Sequence, residues 1–218
     1  MGATAKPKAK RGRPLKPLIT KEAAVDAAIL LVEREGIDSL SVQGVARAMG
    51  VTAPSLYYHF KDKDELLQLV ARALLREVGA EGGDATGWKE RAIALAVATR
   101  RTILRHPNAA PLMLRYFPRN VMLRAYETTL EQCPYAPQYH MAILEALEKI
   151  TYGASLFAAA AEAHHIPAMP VFDADRFPRL AEALTKGPDD EALFIETLEV
   201  MFDGFETRYG NSKKGKLK

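Results

Sequence analysis

The chain has 218 residues, 48% of them hydrophobic and 26% charged, which is the composition of a soluble globular protein with one large or two small domains. Its formal charge of +3 is unevenly spread: of 30 basic residues, seven lie in residues 1–21 and four in 213–218, segments without acids, which leaves 19 cations against 27 acids in the body, a net of −8. A basic arm of this kind calls for a polyanion as partner, while the absence of a secretory apolar stretch and of any run near the ~18 residues a membrane helix needs leads us to expect a cytoplasmic protein.

In chain order, residues 1–19 form a basic arm, with Arg11-Gly12-Arg13-Pro14 and Lys16 at its centre. Helical periodicity begins at Thr20, a fitting N-cap; Val25, Ala28, Ile29 and Val32 share one face, and Gly36 stops the helix. Ser41 caps a second short helix with Val42, Val45, Ala46 and Met49 facing inward, and Gly50 ends it where a positive φ would turn the chain. Thr52 caps a third, predicted from Ala53 to about Phe60, with Pro54 in its first turn. Asp62 and Glu65 have capping-box spacing and open a fourth helix running to about Val78.

The stretch GAEGGDATG at 79–87 offers little that packs and marks a boundary, giving a unit over 20–78 and a second over 85–210, followed by a basic tail at 211–218. In the second unit Trp88–Arg105 is periodic and His106-Pro107 breaks it. A long helix is predicted from about Gln138 to His164, another near Asp175 to Lys186, and a last one after Asp189 with Phe194, Leu198, Met201, Phe202 and Phe205 on one face. No strand signal stands out, so the expected class is all-α. Cys133 is alone, and the five histidines lack ligand spacing, so neither a disulfide, a metal nor another cofactor is expected. No nucleophile-base-acid grouping, phosphate loop or carboxylate pair suggests an enzyme.

Two short helices joined by a tight glycine turn are a helix-turn-helix, whose second helix can enter a major groove. Ala53, Pro54 and Ser55 are small enough to let the backbone approach base edges, and Tyr57, Tyr58, His59 and Lys63 can reach phosphates or bases. The stretch SLSVQGVARAMGVTAPSLYYHFKDKDELL, residues 39–67, resembles the DNA-binding segment of the TetR family of bacterial repressors, and the likeness extends over roughly residues 20–78. The resemblance implies a homodimer that reads a palindromic operator through this segment and releases it when a small molecule binds the C-terminal domain. Carried over by position, Gln43 stands where the tetracycline repressors have a base-reading Arg, Ala53-Pro54-Ser55 where they have Gln-Pro-Thr, and Lys63 matches a phosphate-binding Lys. In this setting Arg11 and Arg13 suit the narrow minor groove of A·T-rich DNA. A solvated tail is the competing reading of the arm.

The second unit resembles the tetracycline-repressor C-terminal domain more loosely, over about Trp88 to Ala163. There Leu95 and Met113 replace the Asn and the magnesium-chelating His of those repressors, which implies a different, more apolar effector. Leu95, Thr99, Ile103, Met113, Tyr116, Phe117, Tyr152 and Leu156 are the candidate lining, against the plainer reading that they are ordinary core. Two other functions stay open on the sequence: a ligand-independent architectural DNA-binding protein, and an all-helical enzyme or carrier.

Overall fold

The computed structural model describes residues 19–81, 87–115, 119–167 and 169–210, and every regular element among them is helical. The N-terminal elements are α1 (Lys21–Glu35), α2 (Val42–Ala48), α3 (Ala53–Leu56) and α4 (Lys63–Glu81). Thr20 Oγ1 accepts from the Ala23 amide at 3.1 Å, and Gly36 closes α1 with φ +78°. Ser41 Oγ accepts from the Gly44 amide at 3.0 Å, and Gly50 turns the chain with φ +67°. Each cap satisfies one of the backbone donors a helix start leaves unpaired.

The third helix is shorter than the sequence predicts. Its α-helical part ends at Leu56, and the chain then turns tightly, with the amides of His59 and Phe60 both donating to Leu56 O. Leu56 and Phe60 are buried all the same, so their four-residue spacing is met without a longer helix. Thr52 also departs from expectation, since its hydroxyl bonds Ser55 Oγ at 2.8 Å rather than a backbone amide. The α4 box forms as predicted on the Asp62 side, Asp62 Oδ1 accepting from the Glu65 amide at 2.8 Å. Glu65 reaches back one residue further, to the Lys61 amide at 2.9 Å.

Beyond the glycines lie α5 (Trp88–Arg105), α6 (Ala110–Arg115), α7 (Arg119–Glu131), α8 (His140–Ala163), α9 (Pro178–Lys186) and α10 (Asp190–Tyr209). The predicted start of α8 at Gln138 falls in a single 3-10 turn, Pro137–Tyr139. α9 starts at Pro178 instead of Asp175: Asp173 Oδ1 takes the Asp175 amide at 2.9 Å in a local turn, and the proline keeps Phe177 out of the helical region. Asp189 caps α10 by accepting from the Ala192 amide at 2.8 Å.

One hydrophobic core joins α1 to α4 with the end of α5, α6 and Ala159 of α8. The seam expected at residues 79–87 is therefore crossed by packing: Leu74 of α4, Ile103 of α5 and Met113 of α6 belong to the same cluster. A second core sits around Ala96, Val97, Phe194 and Leu198. There Arg100, only 2% exposed, donates to Asp190 and lies 5.0 Å over the Phe194 ring, which ties α10 to α5. Trp88 pins α7 by donating to Thr129 O at 2.8 Å and meets Tyr135 and Phe202 edge-on. Among the described residues no helix is long and apolar enough to cross a membrane, and no cluster of ligating side chains could hold a metal ion.

Candidate nucleic-acid interface and interior cavity

Packing of α2 and α3 against α1 and α4 buries Val42, Val45, Ala46 and Leu56 and turns the remaining faces outward. Gln43 is exposed on α2, and Arg47, four residues on, is exposed on the same face. Pro54 is exposed at the start of α3, with Ala53 and Ser55 half-buried beside it. In the turn that follows, Tyr58 is 91% exposed and Tyr57 47%, unusual for large aromatic rings, while His59 is half-buried and Lys63, exposed, opens α4. The structure thus brings Gln43, Ala53, Pro54, Ser55, Tyr57, Tyr58, His59 and Lys63 onto one small unit. Arg11, Arg13 and Lys16 lie outside the described residues. Arg47 and Lys61, both exposed cations of this unit, are not among the sequence candidates; the four-residue spacing of Gln43 and Arg47 is the signal that points to the first.

An interior cavity of about 220 Å³ opens between α4, α5, α7 and α8. Its walls are Leu75, Arg76 and Val78 of α4; Ala92, Leu95, Ala96 and Thr99 of α5; Met122, Ala125, Tyr126 and Thr129 of α7; and Leu144, Leu147, Glu148, Thr151 and Tyr152 of α8. The α5 set follows i, i+3, i+4, i+7, one face of one helix. Of the residues the sequence proposes, Leu95, Thr99 and Tyr152 are on this wall. Ile103 and Met113 are not: they are buried in the first core beside a separate void of about 10 Å³. Leu156 packs against that same core. Tyr116 and Phe117 lie outside the described residues.

The α7 wall is absent from the sequence candidates because Pro118 and Pro134 bracket that helix and hide it, and Glu148 is absent because the spacing along the predicted long helix does not show which of its faces meets the cavity. The spacing of Met122, Tyr126 and Thr129 carries the signal. Polar chemistry is sparse here. Tyr126 donates its hydroxyl to Glu148 Oε1. Thr99 and Thr129 donate to Leu95 O and Ala125 O, each at 2.8 Å. Thr151 Oγ1 is buried with no hydrogen-bond partner. Burial, reinforced by the Glu148 charge, raises the Tyr152 phenol far above its ordinary value, so it stays protonated.

The cavity and the outward face share α4. Leu66, Leu67, Val70, Ala71 and Leu74 of that helix are embedded among the first three helices, and Leu75 and Val78 form cavity wall. A polar joint lies alongside: Glu77 of α4 accepts from Arg105 at 3.0 Å and approaches His106 Nε2 at 3.4 Å, while His106 Nδ1 is 3.7 Å from Glu33 of α1. Asn108 donates to Glu33 O at 2.8 Å. Desolvation pushes the Glu33 carboxyl up, partly offset by the His106 charge.

Residues 24–70 match the family model described as bacterial regulatory proteins, tetR family. An HTH-type transcriptional regulator of Saccharopolyspora erythraea is 37% identical over 97 residues, 44% of this chain and 41% of that protein, so the likeness spans less than half of the regulator. The Escherichia coli tetracycline repressor protein class D is 29% identical over 203 residues, covering 87% of this chain and 90% of the repressor. Among solved structures, a possible TetR family transcriptional regulator from Streptomyces coelicolor superposes with a TM-score of 0.68 at 25% identity, covering 86% of this chain and 99% of that one.

Proposed function

We propose that this chain, which belongs to the tetR family of bacterial regulatory proteins, represses transcription by holding a palindromic operator as a homodimer and lets go when a small, largely apolar molecule enters the cavity between α4, α5, α7 and α8. It is a regulator and not an enzyme, and it works in the cytoplasm, where its DNA is. The observation that carries this reading is α4 itself, a single helix whose first part sits in the helix-turn-helix core and whose later residues are cavity wall.

In the operator complex, Pro54 and Ser55 approach base edges at the start of α3, Gln43 reads from α2 with Arg47 behind it, and Tyr57, Tyr58, His59 and Lys63 hold the backbone. Arg11, Arg13 and Lys16 extend the contact into the flanking minor groove. A ligand releases DNA only to the extent that it prefers the arrangement that does not fit the operator, and couplings of about 1–3 kcal/mol change affinity roughly 5- to 150-fold.

The dimer surface is best placed on α8 and α10, packed as a four-helix bundle across the two-fold axis. Phe157 is 82% exposed on α8, near Gly153 and Ala154; Leu193 and Val200 are exposed on α10, spaced with Thr197 and Gly204 on one stripe. Phe202, on the aromatic face of α10, is 2% exposed against Trp88 and Phe205 within the protomer and so is not part of that surface.

Selection from random duplexes tests the reading. It should return a palindrome with half-sites about 34–36 Å apart or a multiple of that. Recovery of unenriched sequence would favour the architectural alternative and sink the repressor assignment.

A further inference from the structure

Where the helix-turn-helix unit meets the cavity-bearing helices, one imidazole stands between two carboxylates. His106 is the C-cap of α5; its Nδ1 is 3.7 Å from Glu33 Oε1 of α1, and its Nε2 is 3.4 Å from Glu77 Oε2 of α4. Arg105 of α5 donates to that same Glu77 oxygen at 3.0 Å. The void of about 10 Å³ that touches His106 is otherwise lined by Leu74, Val78, Thr102, Ile103, Ala110 and Met113, which bring no further charge.

Ionised carboxylates only accept hydrogen bonds, and a neutral imidazole donates from one nitrogen alone. With a single proton on the ring, one carboxylate therefore faces a lone pair. Glu33 Oε1 and His106 Nδ1 show this mismatch, since both are buried and neither has a hydrogen-bond partner. One more proton turns the orphaned pair into a donor and an acceptor, and the carbonyl end of α5 favours positive charge on the ring. Desolvation pushes the Glu33 carboxyl up, against the charge of His106 and the amides of Ala109 and Asn108, so the proton is shared between Glu33 and the ring. On either group it closes the same gap.

We infer that the joint of Glu33, His106 and Glu77 is a pH-sensitive latch: uptake of one proton between α5 and α1 fastens the DNA-binding unit to the cavity-bearing helices and tightens its hold on the operator. This rests on the reading in which displacement of α4 releases DNA. The fastened form carries one proton more than the open one, so it is favoured as the pH falls and lost as the pH rises. Histidine chemistry places that change between about pH 5 and 8.

Anisotropy with the operator selected from random duplexes, read between about pH 5.5 and 8.5 at fixed ionic strength, compares the parent with His106→Gln and Glu33→Gln. His59 lies on the reading face and can add a pH dependence of its own, which all three proteins share and the comparison removes. On acidification the parent should tighten by about 5-fold or more relative to either variant, the lower end of typical couplings. At the alkaline end the three should agree within a few-fold. A plain loss of stability would weaken binding at every pH and leave the slope alone. Profiles of equal slope in all three proteins, or a parent that loosens relative to the variants as the pH falls, overturn the latch while the repressor reading stands. A parent that binds no selected duplex at any pH overturns the repressor reading and the latch with it.

Discussion

Two tryptophan substitutions separate the cavity from the core beside it. Leu95 is half-buried on the wall of a void of about 220 Å³, so an indole there has space to occupy. Met113 is 2% exposed, and the void beside it is about 10 Å³. Overpacking a filled core costs about 1–3 kcal/mol. For a chain of this size each kcal/mol moves the melting temperature by about 2–4 °C, so Met113→Trp should lower it by roughly 2–12 °C. Leu95→Trp should stay within about 4 °C of the parent, because it fills space without displacing packed atoms. Calorimetry without ligand measures this, and Nile red, which brightens in apolar surroundings, reports cavity access: its signal should be lost in Leu95→Trp and kept in Met113→Trp. Anisotropy with the selected operator should show Leu95→Trp within a few-fold of the parent. A Met113→Trp protein that melts normally and excludes the dye, beside a Leu95→Trp protein that still takes it up, would refute this placement of the pocket.

Deleting residues 1–17 should weaken operator binding and flatten the plot of log affinity against log salt by about 0.9 for each phosphate the arm neutralises; an unchanged slope would show that the arm does not touch DNA. Lys63→Ala should weaken all duplexes alike, whereas Gln43→Ala should change the selected consensus, each by about 1–3 kcal/mol. An identical consensus for Gln43→Ala and the parent would remove Gln43 from base reading. Burial and the 3.0 Å bond to Glu206 push the Tyr135 phenol up to about 12. A raised pKa contributes stability below the ordinary value near 10, and that stability drains away between about pH 10 and 12, so Tyr135→Phe should flatten alkaline denaturation over that window. A parallel fall in both proteins would contradict it.

What is legible in the sequence follows from how local the responsible chemistry is. Thr20, Ser41 and Asp62 each accept from an amide three residues along, and Gly50 supplies a positive φ, so residue type and spacing suffice. Where two local solutions satisfy the same burial, periodicity cannot choose between them: Leu56 and Phe60 are both buried whether the chain continues as helix or turns after Leu56. Non-local facts are harder still. Residue order groups Leu95 with Met113, yet one faces the cavity and the other the α4–α6 core, a distinction set by how three helices cross. The aromatic face of α10 is visible in its spacing, but its direction is not; Trp88, more than a hundred residues away, claims Phe202 for the interior and leaves Leu193 and Val200 outside.

The same crossing gives the proposed effector a route to α3. Five α4 residues from Leu66 to Leu74 are locked among α1 to α3, so α4 and the reading head move together or not at all. A guest that presses on Leu75 or Val78 therefore acts on the whole unit. Opposing it are the contacts of Glu77 with Arg105 and His106 and of His106 with Glu33, which hold α4 and α1 to the end of α5. Arg105 and Glu77 are 47% and 37% exposed, and exposed pairs of this kind contribute about 0–1 kcal/mol. A latch of that strength is enough to bias one arrangement and weak enough for a ligand coupling of about 1–3 kcal/mol to overcome. In the proposed switch, parting Glu77 from Arg105 therefore costs little beside the ligand coupling.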